Sequence, residues 1–165
     1  MGITGNIILQ TKRLNISIPT MDSLDNWYEL RSNPDIMKYI GNGLVNDMQG
    51  TKLHLLKVIN HYKINKFAMF DIWEKVGGNF IGEAGLTHIA YDLKNPDIEL
   101  GYKILPPYQG LGYATELAET FIKWGFDNFH LNKIVACCDP NNIASSNVMK
   151  KCNMKYRGKY LYNGK

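Results

Sequence analysis

The chain has 165 residues, of which 45% are hydrophobic and 21% are charged, and its formal net charge is +4. This length predicts a single domain, residues 1–165, whose core needs neither disulfides nor a metal ion. The small positive charge is scattered along the sequence, so it suits anionic ligands such as phosphates and predicts no nucleic-acid partner.

The first third of the chain is predicted to contain one strand followed by helices. β-Branched residues with partial alternation over 7–18 are typical of a first strand. Thr20 is placed to cap a helix that Asn33-Pro34 terminates, and a short helical turn is expected over 34–39. The period of the apolar residues over 47–63 predicts a longer helix.

Two histidines, His54 and His61, lie seven positions apart on this longer helix and could share its surface. A metal site would need further ligands nearby, and the surrounding sequence offers none. We therefore predict solvated histidines and no metal site.

The middle of the chain is predicted to form a meander of strands. Strands are expected over 67–73 and 80–90, joined by the hairpin signal Lys75-Val76-Gly77-Gly78, and a third strand follows over 97–105. A strand over 133–138 and a helix that Asn142 or Ser145 could cap complete the pattern. Since only the later part shows a strand–helix–strand crossover, the predicted fold class is α+β with one mixed sheet.

The most informative stretch is the glycine turn Gln109-Gly110-Leu111-Gly112, between the strand that Pro106-Pro107 stops and a helix with Gly125 just past its apolar positions. The first turn of a helix leaves N–H groups unpaired and carries the positive end of the helix dipole, so it attracts phosphate. Gly110 and Gly112 lack the Cβ that would hold a pyrophosphate away. The stretch predicts a phosphate site, and a glycine turn without a ligand is the alternative.

Two other phosphate-binding patterns fit this turn poorly. A nucleotide-triphosphate P-loop ends in Gly-Lys-Ser/Thr, where this chain has Gly112-Tyr113-Ala114. A dinucleotide fingerprint needs a third glycine at the position of Thr115. The sequence therefore disfavours both of these classes of phosphate site for the turn.

The turn resembles a known signature. Gln109-Gly110-Leu111-Gly112-Tyr113-Ala114 is similar to the Gln/Arg-x-x-Gly-x-Gly/Ala loop with which the GNAT superfamily of acyl-CoA N-acyltransferases holds the coenzyme A pyrophosphate. Residues 11–14, 79–86 and 139–149 resemble the opening strand, third strand and Asn-x-x-Ser helix start of the Rim-type ribosomal-protein N-terminal acetyltransferases. The resemblance implies a GNAT-like three-layer α/β/α fold, with one central, mostly antiparallel mixed sheet and a V-shaped opening between its central strands.

The resemblance also implies acetyl-CoA as co-substrate, with no metal. The pyrophosphate would lie on the glycine turn and the start of its helix, the pantetheine amides would pair with exposed backbone before the turn, and the last helix would contribute its first turn. The implied binding residues are Ile104, Leu105, Gln109, Gly110, Leu111, Gly112, Tyr113, Ala114, Asn142 and Ser145.

Four residues are implied candidates for catalysis. Glu99 is the first candidate for the base that deprotonates the amine through water, and Glu83 is the second. For either, an ordinary strand glutamate is the alternative. Many superfamily members carry a general-acid tyrosine in the last helix, and here Val148-Met149-Lys150-Lys151 stands there, so the Ser145 hydroxyl is the implied partner of the coenzyme sulfur. Tyr160 is a further candidate for contacting the acceptor.

The implied function is acetyl transfer to a primary amine by a monomer or homodimer. A protein N-terminal α-amine is the first acceptor, and a small amine such as a polyamine or aminoglycoside is the alternative. A second class of function is a non-catalytic regulatory module that binds acyl-CoA. Two features motivate it: the helix tyrosine is missing, and the sequence stops at Lys165, where a hairpin should return through a final strand. Either the sheet lacks that strand or it is completed differently.

Cys137, Cys138 and Cys152 are too few and too irregularly spaced for a disulfide framework or a Cys-x-x-Cys metal site. A reducing cytoplasm is the simplest setting for them. No apolar run approaches the roughly 20 residues that span a bilayer, and no signal-peptide pattern opens the chain. The sequence thus predicts a cytoplasmic protein without a membrane partner.

Overall fold

A computed structural model describes residues 2–159 and 161 of the chain. In this part, short 3₁₀ turns accompany six strands and five α-helices. The strands are β1 (Ile7–Gln10), β2 (Leu14–Ser17), β3 (Met69–Glu74), β4 (Phe80–His88), β5 (Ile98–Ile104) and β6 (Ile134–Val135). The helices are α1 (Leu24–Arg31), α2 (Pro34–Met37), α3 (Met48–Asn65), α4 (Tyr113–Phe129) and α5 (Ile143–Lys151).

The strands form one sheet in chain order from β1 to β6. Neighbours are antiparallel except β5 and β6, which are parallel. One face of the sheet packs on α4, where the rings of Phe70 and Phe121 stack with centroids 5.8 Å apart. The other face packs under α1 and α3 through Trp27 and Leu55. The predicted α+β class and three-layer mixed sheet are confirmed.

The sheet opens between β5 and β6. These strands pair only at Ile98 with Ile134 and at Glu99 with Val135, and β5 continues to Ile104. Among the described residues no strand pairs with the rest of β5 on that side. This is the V-shaped opening that the resemblance implied.

The single first strand predicted over 7–18 was wrong, because two strands with a turn between them occupy it. The Thr11 amide donates to the Leu14 carbonyl at 3.0 Å, and the Thr11 hydroxyl accepts from the Leu14 amide at 2.9 Å. A hydroxyl that bonds to nearby backbone favours turns over strands. The chain therefore reverses at Thr11 and brings Arg13 to Leu111 and Glu116.

Two boundaries in the second half of the chain also differ from prediction. The helix, whose last predicted apolar position is Trp124, continues past Gly125 to Phe129. A Cβ on Gly125 would lie 2.7 Å from Leu86 Cδ1 and 2.9 Å from Ile134 Cδ1, so this glycine permits close helix–sheet packing and does not end the helix. The strand expected over 133–138 is confined to β6, where β5 is close enough to pair.

The predicted caps at Thr20 and Asn142 are confirmed, and Asp47 caps α3 in addition. Thr20 and Asp47 accept hydrogen bonds from amides of the turns that they open, and Asn142 does so at the start of α5. Asn153, which lies just after α5, has a left-handed backbone conformation with φ of 58°. The hairpin return expected near Lys165 lies outside the described residues. In the described part of the chain, no helix combines the length and apolar character needed to span a membrane.

Candidate active site

The glycine turn between β5 and α4 presents open backbone donors. Gly110 and Gly112 have φ of 75° and 83°, a region that favours glycine. Gly112 is the residue that precedes α4, and its carbonyl accepts from the Glu116 amide at 3.1 Å. The amides of the first helical turn, residues 113–115, therefore have no partner within the helix. They point out of the helix end, where phosphate oxygens could accept from them.

Arg13 braces this turn from the β1–β2 connection. Its Nη1 donates to the Leu111 carbonyl at 2.8 Å, and its Nε forms an ion pair with Glu116 Oε2 at 2.7 Å. Its guanidinium also lies 4.3 Å from the centre of the Tyr113 ring. The turn is thus held from two sides before any ligand binds. Sequence reasoning missed this role, because the two partners lie about a hundred positions from Arg13.

The strand before the turn, β5, directs the backbone groups of alternate residues into the opening between β5 and β6. Leu105 N–H donates to Ile81 at 2.8 Å, and its carbonyl accepts from Tyr108, so Leu105 is already paired. In an antiparallel ladder, alternate residues bond toward the same neighbour, so Leu100, Tyr102 and Ile104 direct their N–H and C=O groups into the opening. Of the two implied pantetheine-binding positions, Ile104 and Leu105, only Ile104 directs its backbone groups into the opening.

Gln109 ties the strand end to the glycine turn. Its side-chain amide donates to the Ile104 carbonyl at 2.7 Å. This hydrogen bond occupies the acceptor that Ile104 would offer to a pantetheine amide, and the Ile104 N–H is left facing the opening. Leu111, at the tip of the turn, is 52% exposed.

Ser145 lies across the opening from β5. Its amide donates to Asn142 Oδ1 at 3.1 Å, which confirms Asn142 as the cap of α5. Its hydroxyl lies 3.0 Å from the Tyr102 hydroxyl. Sequence reasoning missed Tyr102, because strand alternation marks it only as a core-facing residue.

Glu83 lies on β4 with a fully buried side chain between two cations. Arg31 Nη2 donates to it at 2.9 Å, and Lys103 Nζ contacts the same oxygen. Burial raises the pKa of Glu83, but the charges of Arg31 and Lys103 outweigh that effect and lower the pKa to about 2. Since so weak a base holds a proton poorly, this geometry weighs against Glu83 as general base.

Glu99 has a different setting. It is half-buried and lies where β5 and β6 separate, opposite Thr87 and Val135. Residues that pair directly across antiparallel strands share a face, so Glu99 and Lys103 lie on the same face as Glu83. This is the face under α1 and α3, opposite the face that carries α4.

The prediction of solvated histidines was wrong. His61 is only 4% exposed, and its two ring nitrogens lie 2.9 Å from the Phe67 carbonyl and 3.0 Å from His88 Nδ1. His54 is half-buried, with Nε2 2.6 Å from Arg31 Nη2. Burial and the charge of Arg31 lower the pKa of His54 to about 3, so it is neutral at neutral pH.

Within residues 2–159 and 161, no group of three His, Cys, Asp or Glu side chains could hold a metal ion. Tyr160 lies outside the described residues.

Comparisons with known proteins agree with this geometry. The model of the acetyltransferase (GNAT) domain family matches residues 13–155. The chain belongs to the GNAT family of acetyltransferases. An uncharacterized N-acetyltransferase, YnaD of Bacillus subtilis, is 30% identical over 152 residues, which is 91% of this chain and 84% of YnaD. This GNAT protein is accordingly an N-acetyltransferase, and its domain is one that binds coenzyme A.

Two solved structures show the same fold with different substrates. The RimL ribosomal L7/L12 alpha-N-protein acetyltransferase in complex with coenzyme A has a TM-score of 0.79 at 17% identity, covering 96% of this chain and 92% of RimL. Spermidine N-acetyltransferase from Vibrio cholerae, in complex with coenzyme A and spermine, has a TM-score of 0.75 at 21% identity, covering 92% and 86%. At these identities the likeness concerns the fold alone.

The buried ion pairs of Glu83 allow a stability prediction. Replacing Glu83 with glutamine removes the buried carboxylate that Arg31 and Lys103 share, so we expect a loss of about 3–5 kcal/mol in the free energy of unfolding, measured with urea at pH 7. The exposed residue Glu119 supplies the matched control, Glu119→Gln. An unchanged urea midpoint for Glu83→Gln would contradict a stabilising role for the pair.

The carboxylate of Glu83 also makes the stability of the folded protein depend on pH in the acid range. The folded pKa of Glu83 is about 2, below its ordinary value of 4.5. Its contribution to stability is therefore complete above pH 4.5 and is lost as the pH falls toward 2. The wild type should lose more stability than Glu83→Gln over this interval.

Proposed function

We propose that the protein transfers the acetyl group of acetyl-CoA to the α-amine of a protein or peptide N-terminus. The observation that carries this proposal is the charge balance on the face of the sheet under α1 and α3, where we place the acceptor. Asp71, Glu83 and Glu99 share this face. Glu83 is matched by Arg31 and Lys103, so little negative charge is left there to hold a cationic acceptor.

Asp71 is likewise unavailable to an acceptor. It is buried, and it accepts from the Trp27 indole at 2.6 Å and from the hydroxyls of Ser23 and Thr4 at 2.5 Å and 3.0 Å. A polyamine or an aminoglycoside carries several positive charges, which a binding site must match with carboxylates. Asp71 and Glu83 are thus both engaged by other side chains, and we assign the amine to Glu99, whose charge also acts on Lys103.

An open groove runs beside this face. It lies between α1 and the segment that leads into α3, and the Asn46 amide ties the two walls together by donating to the Arg31 carbonyl at 3.0 Å. Its lining is uncharged apart from Asp47, and Leu44 and Val45 expose apolar side chains. An extended peptide needs an open, mostly uncharged groove of this kind. The lining residues are Tyr28, Ser32, Asn42, Leu44, Val45, Asn46, Asp47 and Gly50.

In the proposed reaction, the glycine turn holds the pyrophosphate of acetyl-CoA, and backbone groups of Tyr102 and Ile104 pair with its pantetheine arm in the opening. Glu99 takes a proton from the amine through one water molecule. The neutral nitrogen then attacks the thioester carbonyl, the C–S bond breaks, and the electron pair leaves on sulfur. The sulfur takes up a proton, so the products are an amide and coenzyme A.

The decisive experiment compares acceptors by the release of coenzyme A thiol. Short peptides with free N-termini, including ribosomal-protein N-terminal sequences, should be acetylated, whereas spermidine, spermine and aminoglycosides should give at least about tenfold lower kcat/KM. Peptides blocked at the N-terminus but carrying lysine are the control for attack by a side chain. Turnover of polyamines without turnover of peptides would overturn the proposal.

A further inference from the structure

Two hydroxyl groups meet across the sheet opening, one from β5 and one from α5. The phenolic oxygen of Tyr102 lies 3.0 Å from Ser145 Oγ and 3.2 Å from the Ser145 carbonyl. The Tyr102 ring is half-buried and packs against the core on the α4 side. The tyrosine that many GNAT members carry in the last helix is missing here, yet a tyrosine hydroxyl reaches that helix from the neighbouring strand.

The surroundings hold Ser145 in place. Asn142 Oδ1 accepts a hydrogen bond from the Ser145 amide at 3.1 Å, which fixes the first turn of α5. A serine hydroxyl has one proton to donate and two lone pairs to accept with. If the phenol fills one lone pair, the serine proton is free to point to another acceptor, and a sulfur that gains negative charge is a strong one.

We propose that Tyr102 is a positioning residue for the departure of coenzyme A: its hydroxyl proton, shared between the Ser145 carbonyl and Ser145 Oγ, holds the serine so that the Ser145 proton points to the coenzyme sulfur. The proposal rests on the placement of the thioester in the opening between β5 and β6. As the C–S bond breaks, its electron pair goes to sulfur, which Ser145 stabilises by hydrogen bonding. Both hydroxyls keep their protons, and the departing thiolate takes its proton from water.

The environment of Tyr102 fits a hydroxyl that stays protonated. Burial raises the pKa of Tyr102, the hydrogen bond with Ser145 opposes this shift, and the nearby thiols of Cys138 and Cys152 add to it. These thiols also have pKa values raised by burial. They are therefore neutral near pH 7. Cys138 makes a hydrogen bond with the Ser145 side chain, but a neutral thiol is a weaker acceptor of the serine proton than the departing thiolate.

The test measures the pKa of the thiol of bound coenzyme A from the ultraviolet absorbance of its thiolate. The complex with desulfo-coenzyme A, which lacks the sulfur, supplies the background from the protein's own thiols and phenols. A hydrogen bond from Ser145 should place the bound thiol below the pKa of free coenzyme A. Ser145→Ala should raise the bound value by about one unit, and Tyr102→Phe should reproduce at least about half of that rise.

A double variant separates positioning from direct contact. If Tyr102 acts through Ser145, the variant Tyr102→Phe/Ser145→Ala should match Ser145→Ala alone. Tyr62→Phe is the matched control, since Tyr62 is another half-buried tyrosine on this core whose hydroxyl makes no hydrogen bond in the described part of the chain. Its bound thiol should titrate as in the wild type.

Three outcomes would overturn the proposal. An unchanged thiol pKa in Tyr102→Phe would show that the phenol does not position Ser145. A further rise when Tyr102→Phe is added to Ser145→Ala would mean that the phenol touches the sulfur itself. Failure of the wild type to bind coenzyme A would remove the placement on which the proposal rests. No acceptor is needed, so a wrong choice of acceptor leaves the result readable.

Discussion

Replacing Gly112 with valine is expected to lower affinity for coenzyme A by at least about a hundredfold, since two charge-assisted hydrogen bonds to pyrophosphate contribute roughly 1.5–3 kcal/mol each. Gly112 has φ of 83°, which a β-branched residue adopts only with strain. A Cβ there would lie 3.5 Å from Arg13 Nη2, so the valine methyl groups would press on the side chain that braces the turn. Both effects move the amides that face the phosphate.

Strain alone also lowers stability, so the experiment needs a variant with strain but no role in binding. Gly78, in the β3–β4 hairpin, has φ of 68° and open space where a Cβ would stand, which makes Gly78→Val the matched control. Calorimetric titration of folded Gly78→Val should give wild-type affinity for coenzyme A. Gly112→Val, compared at a temperature where both variants are folded, should bind weakly.

A series of shortened ligands identifies the group that the turn holds. Dephospho-coenzyme A lacks the 3′-phosphate, and pantetheine lacks the pyrophosphate as well. The wild type should keep most of its affinity for the first and lose most for the second, whereas Gly112→Val should bind all three weakly. If the wild type bound coenzyme A and pantetheine equally well, the assignment of the glycine turn to pyrophosphate would be wrong.

Replacing Glu99 with glutamine is expected to reduce kcat by about 10²–10⁴-fold, the usual contribution of a general base. Glutamine keeps the size of the side chain, so affinity for coenzyme A should stay within about twofold of the wild type. The measurement is thiol release with an accepted peptide under saturating acetyl-CoA. Glu119→Gln, on the exposed side of α4, again supplies a control in which one carboxylate is lost elsewhere.

Varying the basicity of the acceptor amine tests whether Glu99 removes a proton from it. A weakly basic amine is already neutral at the assay pH and needs no base before it attacks, so with such an acceptor Glu99→Gln should lose much less activity. Raising the pH should rescue the variant with ordinary peptides for the same reason. An equal loss with strongly and weakly basic amines would point to a role for Glu99 in binding or in the fold, and not in proton transfer.

The sequence by itself determined the features that depend on neighbouring residues. Helix starts at Thr20, Asp47 and Asn142 follow from side chains that bond to amides two or three positions away. The phosphate-binding turn follows from Gly110 and Gly112, because backbone conformation and the start of a helix are local properties. The order of strands and helices, and with it the mixed sheet, could be predicted from the same local patterns.

Only the tertiary structure decided what the charged and polar side chains do. Glu83 looked like a possible base until Arg31, 52 positions away, and Lys103, 20 positions away, were found to hold its carboxylate. Ser145 meets Tyr102 from 43 positions away. Such partners are brought together by the packing of helices on the sheet, and burial then shifts their pKa values, so no local pattern along the chain could have shown either contact.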